Sequence, residues 1–385
     1  MIVKLGDVAE FINGGAWNLI EYSEAGIPVV KVTNLKNGTV DLEDVDYIPE
    51  SSLDKYARHT LYKGDLVIAT VGSHPNLIAS AAGRATIIPS IAEGALLNQN
   101  ALCIRTSSKD LHQGYLGYLG KSNLFQDYVK SIGRGAANQV RIALGLIKEF
   151  NFNLPPLSIQ LKIAAVLSAY DGLIENNVKR IKLLEEAAML RYKGIVKNET
   201  LKEVTIEELA DVVMGQSPTS DTYSDSEEKE GLPFHQGVTN FSSYFVQHKI
   251  YCKKPIKIAE EGGILFSVRA PVGRINFTND RICIGRGLCA FRSKKGFQNY
   301  FYHQLKEFFF AEDVIGNGAI FNAVTKVELM DVKLKTPSDK VQMEFEKEAQ
   351  SIFNLILNLS NQNAALRSAR DLLLPRLMNG AIEVL

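Results

Sequence analysis

The stretch Phe345-Glu346-Lys347-Glu348-Ala349-Gln350-Ser351-Ile352-Phe353-Asn354-Leu355-Ile356-Leu357-Asn358-Leu359 sets apolar residues at Phe345, Ala349, Ile352, Ile356 and Leu359. The same 4,3 spacing continues through Asn363, Leu366, Arg370, Leu373 and Leu377. An apolar repeat of 3.5 residues sustained over about five heptads reads as a coiled-coil seam. The alternative is an amphipathic helix lying on a globular core. The pattern occurs twice. Ile163, Leu167, Tyr170, Ile174, Asn177, Ile181, Leu184, Ala188, Arg191 and Ile195 carry it 182 positions earlier. Asn177, Arg191, Asn363 and Arg370 are polar seam positions, which weaken a coiled coil and fix its register.

Outward from the helices, the chain is duplicated. Each helical pattern follows a β-rich block. Gly133-Arg134-Gly135-Ala136 opens the exit from the first block and Gly316-Asn317-Gly318-Ala319 the exit from the second. Each block passes through a Thr-Asn pair, Thr33-Asn34 and Thr239-Asn240. Each then has a strand after glycine, Gly64-Asp65-Leu66-Val67-Ile68-Ala69 and Gly263-Ile264-Leu265-Phe266-Ser267, and a loop closing on Gly83-Arg84 or Gly273-Arg274. Such β-branched and aromatic runs punctuated by glycine predict strands. The expected fold is α+β: β-rich domains over 1–153 and 201–336 alternate with helical regions over 154–200 and 337–385. The two long helices pair as an antiparallel coiled coil, giving a pseudo-two-fold internal repeat. Such a repeat suits a target that also comes in two halves, double-stranded DNA being the leading case.

Composition is that of a soluble globular protein, 46% hydrophobic and 22% charged. No run of 18 apolar residues and no signal-peptide pattern is present, so a cytoplasmic protein is expected. The four cysteines, Cys103, Cys252, Cys283 and Cys289, form no C-x-x-C pair and read as buried free thiols. Net charge is zero, from 43 basic and 43 acidic residues, which counts mildly against nucleic acid. Neither block has a basic excess: residues 1–153 hold 14 basic and 15 acidic side chains, and residues 201–336 hold 17 of each. A basic face must therefore come from segregation of charge.

The hinge Leu154-Pro155-Pro156-Leu157-Ser158-Ile159-Gln160-Leu161-Lys162-Ile163-Ala164 and the C-terminal Leu372-Leu373-Leu374-Pro375-Arg376-Leu377-Met378-Asn379-Gly380, set in a duplicated block-and-helix frame, resemble the specificity subunit of type I restriction–modification systems. The second hinge departs from the pattern, with Thr336-Pro337-Ser338-Asp339 in place of Pro-Pro-Leu. The resemblance implies a non-catalytic chain in which each β-rich block is a target recognition domain reading half of a bipartite DNA site. It also implies that the helices set the spacer and hold two adenine-N6 methyltransferase subunits, and that a restriction–translocase subunit joins them. S-adenosylmethionine, ATP and Mg are then expected only in partner subunits, with no cofactor or metal in this chain.

Motifs for catalysis are absent or imitated. Asn153-Leu154-Pro155-Pro156 resembles the Asn-Pro-Pro-aromatic element that holds a flipped adenine, but leucine interrupts it and Leu157 replaces the aromatic. Asp331-Val332-Lys333 is half of a nuclease motif without a convincing upstream acid. The six histidines show no metal-ligand spacing and no Walker loop occurs.

Base edges are read by Arg on guanine and by Asn or Gln on adenine, and phosphates by cations, hydroxyls and backbone N–H groups. Amides and cations beside loop glycines are therefore the candidates. In the first block these are Lys31, Asn34, Ser73, His74, Asn76, Arg84, Gln99, Arg134, Asn138 and Arg141. In the second they are His235, Gln236, Asn240, Arg269, Arg274, Arg286, Asn317, Asn322 and Lys326. Gln99 and Arg286 fall at equivalent places in the repeat with different chemistry, whereas Arg84 and Arg274 are equivalent and identical. Shared positions are expected to hold phosphate and divergent ones to read bases. The competing function is a structural adaptor whose blocks bind protein ligands at the two ends of a helical rod.

Overall fold

A computed structural model describes residues 1–36, 39–42, 45–72, 82–136, 139–224, 231–242, 244–310 and 323–383. They form two compact units, Met1–Asn176 with Ala364–Leu385, and Asn177–Asn363. The long helices are Leu157–Asn198 and Asp339–Met378. The division runs through both of them, so each unit holds one β-rich block and part of each helix.

In the first unit a four-stranded antiparallel sheet has the order Ala9–Asn13, Ala101–Thr106, Leu66–Ala69, Ala85–Ile87. Alternate residues of a strand point to opposite faces. Leu66, Ile68, Leu102 and Ile104 therefore enter one cluster, together with Ile163, Leu167 and Leu377 of the helices. Val67, Ala69, Ala101 and Cys103 enter the other, with Ile12, Val30 and Leu97. Both faces are covered, which is why these central strands are apolar throughout. The second unit repeats the sheet as Ala210–Met214, Leu288–Ser293, Ile264–Ser267, Ile275–Phe277. Ile264, Phe266, Cys289 and Phe291 pack with Ile181, Ile356 and Leu359, while Leu265, Leu288 and Ala290 face the opposite cluster. All four cysteines are buried and free.

The same polar side chain closes each block. Gln113 Oε1 accepts the Thr106 N–H at 2.9 Å, and its Nε2 donates to the Gly64 carbonyl at 3.0 Å. Gln298 does the same with Ser293 (2.7 Å) and Gly262 (3.0 Å). At the helix entries, buried Gln160 donates to the Pro155 carbonyl at 2.8 Å and buried Gln342 to the Pro337 carbonyl at 3.1 Å. The second hinge thus keeps the anchor of the first although it lacks Pro-Pro-Leu.

Within each unit the helices run antiparallel, low numbers on one meeting high numbers on the other. Asp171 pairs with Arg370 in the first unit. In the second, Asn177 meets Asn363 and Arg191 pairs with Glu348 at 2.9 Å. Ile163, Leu167, Ile174, Asn177, Ile181, Phe345, Ile356, Leu359 and Asn363 are buried, and Tyr170, Leu184, Ile352, Leu366 and Leu373 are half-buried. The seam also packs on the β-rich blocks, so helix-on-helix and helix-on-core packing share the same stripe. Arg191 is a correction to the expected seam: it is exposed, and Tyr192 is buried in its place. The phase shifts by one residue because Tyr300 and Phe345 form an aromatic pocket there, 5.2 and 6.3 Å from the Tyr192 ring. The first long helix is long and apolar enough to cross a membrane by length and composition only, and its Ile163, Ala164 and Leu167 are buried in the unit's core.

Candidate nucleic-acid interface

Backbone hydrogen bonds establish which positions of the two blocks correspond. The Ile142 N–H donates to the Thr70 carbonyl at 2.9 Å, as Val324 does to Val268 at 2.9 Å. The Thr70 N–H in turn donates to Asn100 at 2.8 Å, as Val268 does to Gly287 at 3.0 Å. Asn100 therefore matches Gly287, and Gln99 matches Arg286, as the repeat predicts.

On this ladder the cations fall into place. Arg141 lies opposite Val71 in the first unit. The corresponding rung of the second unit pairs Arg269 with Ala323. Each unit thus puts one arginine on the same rung, carried on opposite strands. In the first unit a second arginine is added: Arg134 lies directly opposite Arg141 on the next strand of the same sheet. Like charges directly opposite one another destabilise a sheet. Arg134, Arg141, Arg269 and Arg286 are exposed and form no ion pair with another described residue.

A glycine loop is drawn against this ladder in both units. A Cβ on Gly14 would lie 1.8 Å from the Asn98 carbonyl oxygen, and one on Gly215 2.1 Å from that of Gly285. Only glycine permits this approach. It brings Gly15 to accept the Gln99 N–H at 2.7 Å. In the second unit, Ser217 Oγ donates to Gln236 Oε1 at 2.8 Å and accepts the Arg286 N–H at 3.3 Å. Ser217 was not a candidate from sequence; its signal is a hydroxyl where the repeat has Ala16. Exposed Gln99, Arg134 and Arg141 in one unit and Gln236, Arg269 and Arg286 in the other are the side chains that this ladder gathers. They have the donor chemistry for purine edges and phosphates.

The other candidates stand apart from this ladder, and several already have partners within the fold. Asn34 is buried, its Oδ1 accepting the Lys31 N–H at 2.8 Å. Lys31 is ion-paired with Asp46, so its charge is already met. Arg84 is half-buried and donates from Nη1 to the Leu35 carbonyl at 2.6 Å, and burial lowers its pKa. Arg274 is exposed where its counterpart Arg84 is half-buried. His235 is 2% exposed at the position of Val30. Its Nε2 lies 2.9 Å from His248 Nδ1, whose Nε2 is 3.0 Å from Asp280. Burial, helped by His248, pushes the His235 pKa down to about 4. Asn240 is half-buried, and Lys326 is exposed at the start of the short helix Lys326–Met330. Ser73, His74, Asn76, Asn138, Asn317 and Asn322 lie outside the described residues. Among the described residues no three His, Cys, Asp or Glu side chains converge as a metal site.

The duplicated block has a counterpart among known families. A model described as the type I restriction modification DNA specificity domain matches residues 1–186 and again 198–364. The chain belongs to this family. Members of the specificity-domain family with similar sequences include a Methanocaldococcus jannaschii protein assigned as the MjaX type I restriction enzyme specificity subunit. It is 28% identical over 402 residues, spanning 99% of this chain and 93% of the relative. The MjaIX specificity subunit of the same organism is 26% identical over 70% of this chain and 69% of its own length. The crystal structure of the type I restriction–modification S subunit from M. genitalium shares the fold, with a TM-score of 0.56 over 98% of this chain and 96% of that one, at 15% identity. The chain is a type I specificity subunit, a non-catalytic component that recognises DNA through its two specificity domains.

Proposed function

We propose that each unit reads one half of a bipartite double-stranded DNA site, through the arginine-bearing ladder and the loops hydrogen-bonded to it. The observation that carries this reading is the register of Arg134 against Arg141. Two arginines on one rung repel each other, and a polyanion laid across them turns that repulsion into attraction. Zero net charge is compatible with this because the cations are gathered locally. Gln99 against Arg286 gives the two units different donors at a matched place, while Arg141 and Arg269 put the same donor on opposite strands of one rung. Different half-sites follow, since Gln suits adenine and Arg suits guanine.

The paired helices set the distance between half-sites and carry the contacts for adenine-N6 methyltransferase subunits, two copies by the pseudo-two-fold repeat, with restriction–translocase subunits joining the assembly in the cytoplasm. S-adenosylmethionine, ATP and Mg belong to those partners, and this chain holds no cofactor. The test is a genome-wide adenine-methylation map of the host with and without the gene. Loss of one split motif with a fixed internal gap is expected. An unchanged map in a host whose methyltransferase is active would overturn the reading.

A further inference from the structure

The short turn Leu19–Glu21 of the first unit displays Leu19 and Ile20 at 89% and 91% exposure, above every other large hydrophobic side chain among the described residues. Scattered exposed leucines are ordinary, but two adjacent and almost wholly exposed aliphatics are not. The turn is held firmly. Glu21 accepts hydrogen bonds from Lys55 Nζ at 2.6 Å, from the Tyr56 hydroxyl, and from the Asn18 N–H at 2.9 Å. Trp17 packs edge-on against Tyr56 with ring centres 5.5 Å apart.

The repeat supplies a control. The second unit has the same 3-10 turn at Ser220–Thr222, and a Tyr-Ser pair follows in both, Tyr22-Ser23 and Tyr223-Ser224. There the two exposed positions are Ser220 and Asp221. The turn itself therefore does not require apolar side chains, and Leu19 and Ile20 answer to something outside the chain. Their place indicates what. Leu19 is three residues from Ala16, the counterpart of Ser217, which touches Arg286 and Gln236; three residues of chain reach at most about 11 Å. The supporting segment carries Lys55 and Arg58, and exposed Arg58 forms no ion pair with another described residue.

We propose that Leu19 and Ile20 form an apolar contact with bases of the DNA half-site held by the first unit, a contact that the second unit lacks. This rests on the DNA reading above and adds a specificity element to it. Aliphatic side chains meet DNA in two ways, against the thymine 5-methyl in the major groove or wedged into an unstacked base step.

The test begins with duplexes selected from a randomised library by the full wild-type chain. The Leu19→Ser/Ile20→Ser double variant should bind the selected duplex at least about tenfold more weakly, with the slope of affinity against salt unchanged. In the thymine-methyl arm, replacing one thymine of a single half-site by uracil weakens the wild type and not the variant. In the wedge arm, 2-aminopurine at one step brightens with the wild type and not with the variant. Wild-type affinity retained by the variant overturns the proposal, as does loss of methyltransferase binding with duplex binding intact, which would make the turn a protein contact. The Arg134→Ala/Arg141→Ala double variant separates the two ideas. If it loses the duplex while the turn variant does not, only the apolar contact fails. If the wild type selects no duplex, the DNA reading fails with it.

Discussion

Asn177 donates from Nδ2 to Oδ1 of Asn363 at 3.0 Å, and both residues are buried where the two long helices cross the second unit's core. Apolar neighbours surround this pair: Ile181, Ile356 and Leu359 line the same stripe. Leucine at either position would bury more apolar surface, but the amide pair distinguishes one helical register from its neighbours. Replacing Asn177 by Leu removes the bond while Asn363 stays buried. We expect a loss of about 1–3 kcal/mol in denaturant unfolding. Substituting both by Leu should recover most of it. Equal losses in the single and double variants would show that the cost does not come from leaving Asn363 without its partner.

The opposed arginines predict effects of opposite sign on stability and binding. Arg134→Ala or Arg141→Ala relieves a like-charge pair and should leave the protein equal or more stable by about 0.2–1 kcal/mol. The same change should weaken DNA binding and reduce the salt slope by about 0.9 for each phosphate that is no longer neutralised. Thermal melting and binding isotherms at several salt concentrations test both signs. A variant that loses stability and keeps its salt slope would place these arginines in the fold and not in the interface.

Acid should act on the second unit through His235. Its folded pKa of about 4 lies below the ordinary histidine value of 6.5, so the folded state favours neutral imidazole. This stability is fully present above pH 6.5 and is lost as pH falls through 6.5 towards 4, because the unfolded chain takes up the proton first. The full loss is on the order of 3 kcal/mol. Burial likewise pushes His303 down to about 4. His235→Val installs the residue of the equivalent Val30 and should remove about half of the decline in unfolding free energy between pH 7 and 4.5. A decline unaltered by that substitution would assign it to other groups.

Lengthening the helices tests whether they measure distance. Four residues added to each should extend them by about 6 Å. The half-sites should then move apart by roughly two base pairs, at about 3.4 Å each. Methylation mapping of the variant reads the spacer directly, and an unchanged spacer would assign the gap to something other than helix length.

Whatever depends on local period and on repetition is written in the order of residues. The 4,3 spacing drew both long helices, the glycine-bounded apolar runs drew the central strands, and the duplication alone matched Gln99 to Arg286. These features are legible because side-chain direction follows directly from backbone geometry. The sites were only partly legible, because residue type states which group can donate and not what already accepts from it. Folding in three dimensions was needed to bring Asp46 to Lys31, to spend Asn34 on a backbone N–H, and to let Tyr192 displace Arg191 from the seam. It also set Arg134 across from Arg141 and moved the matching arginine of the second unit to the other strand at Arg269. Those outcomes turn on strand register and on which distant surface covers a residue, and a one-residue shift in either, invisible in composition, exchanges a free cation for a buried one.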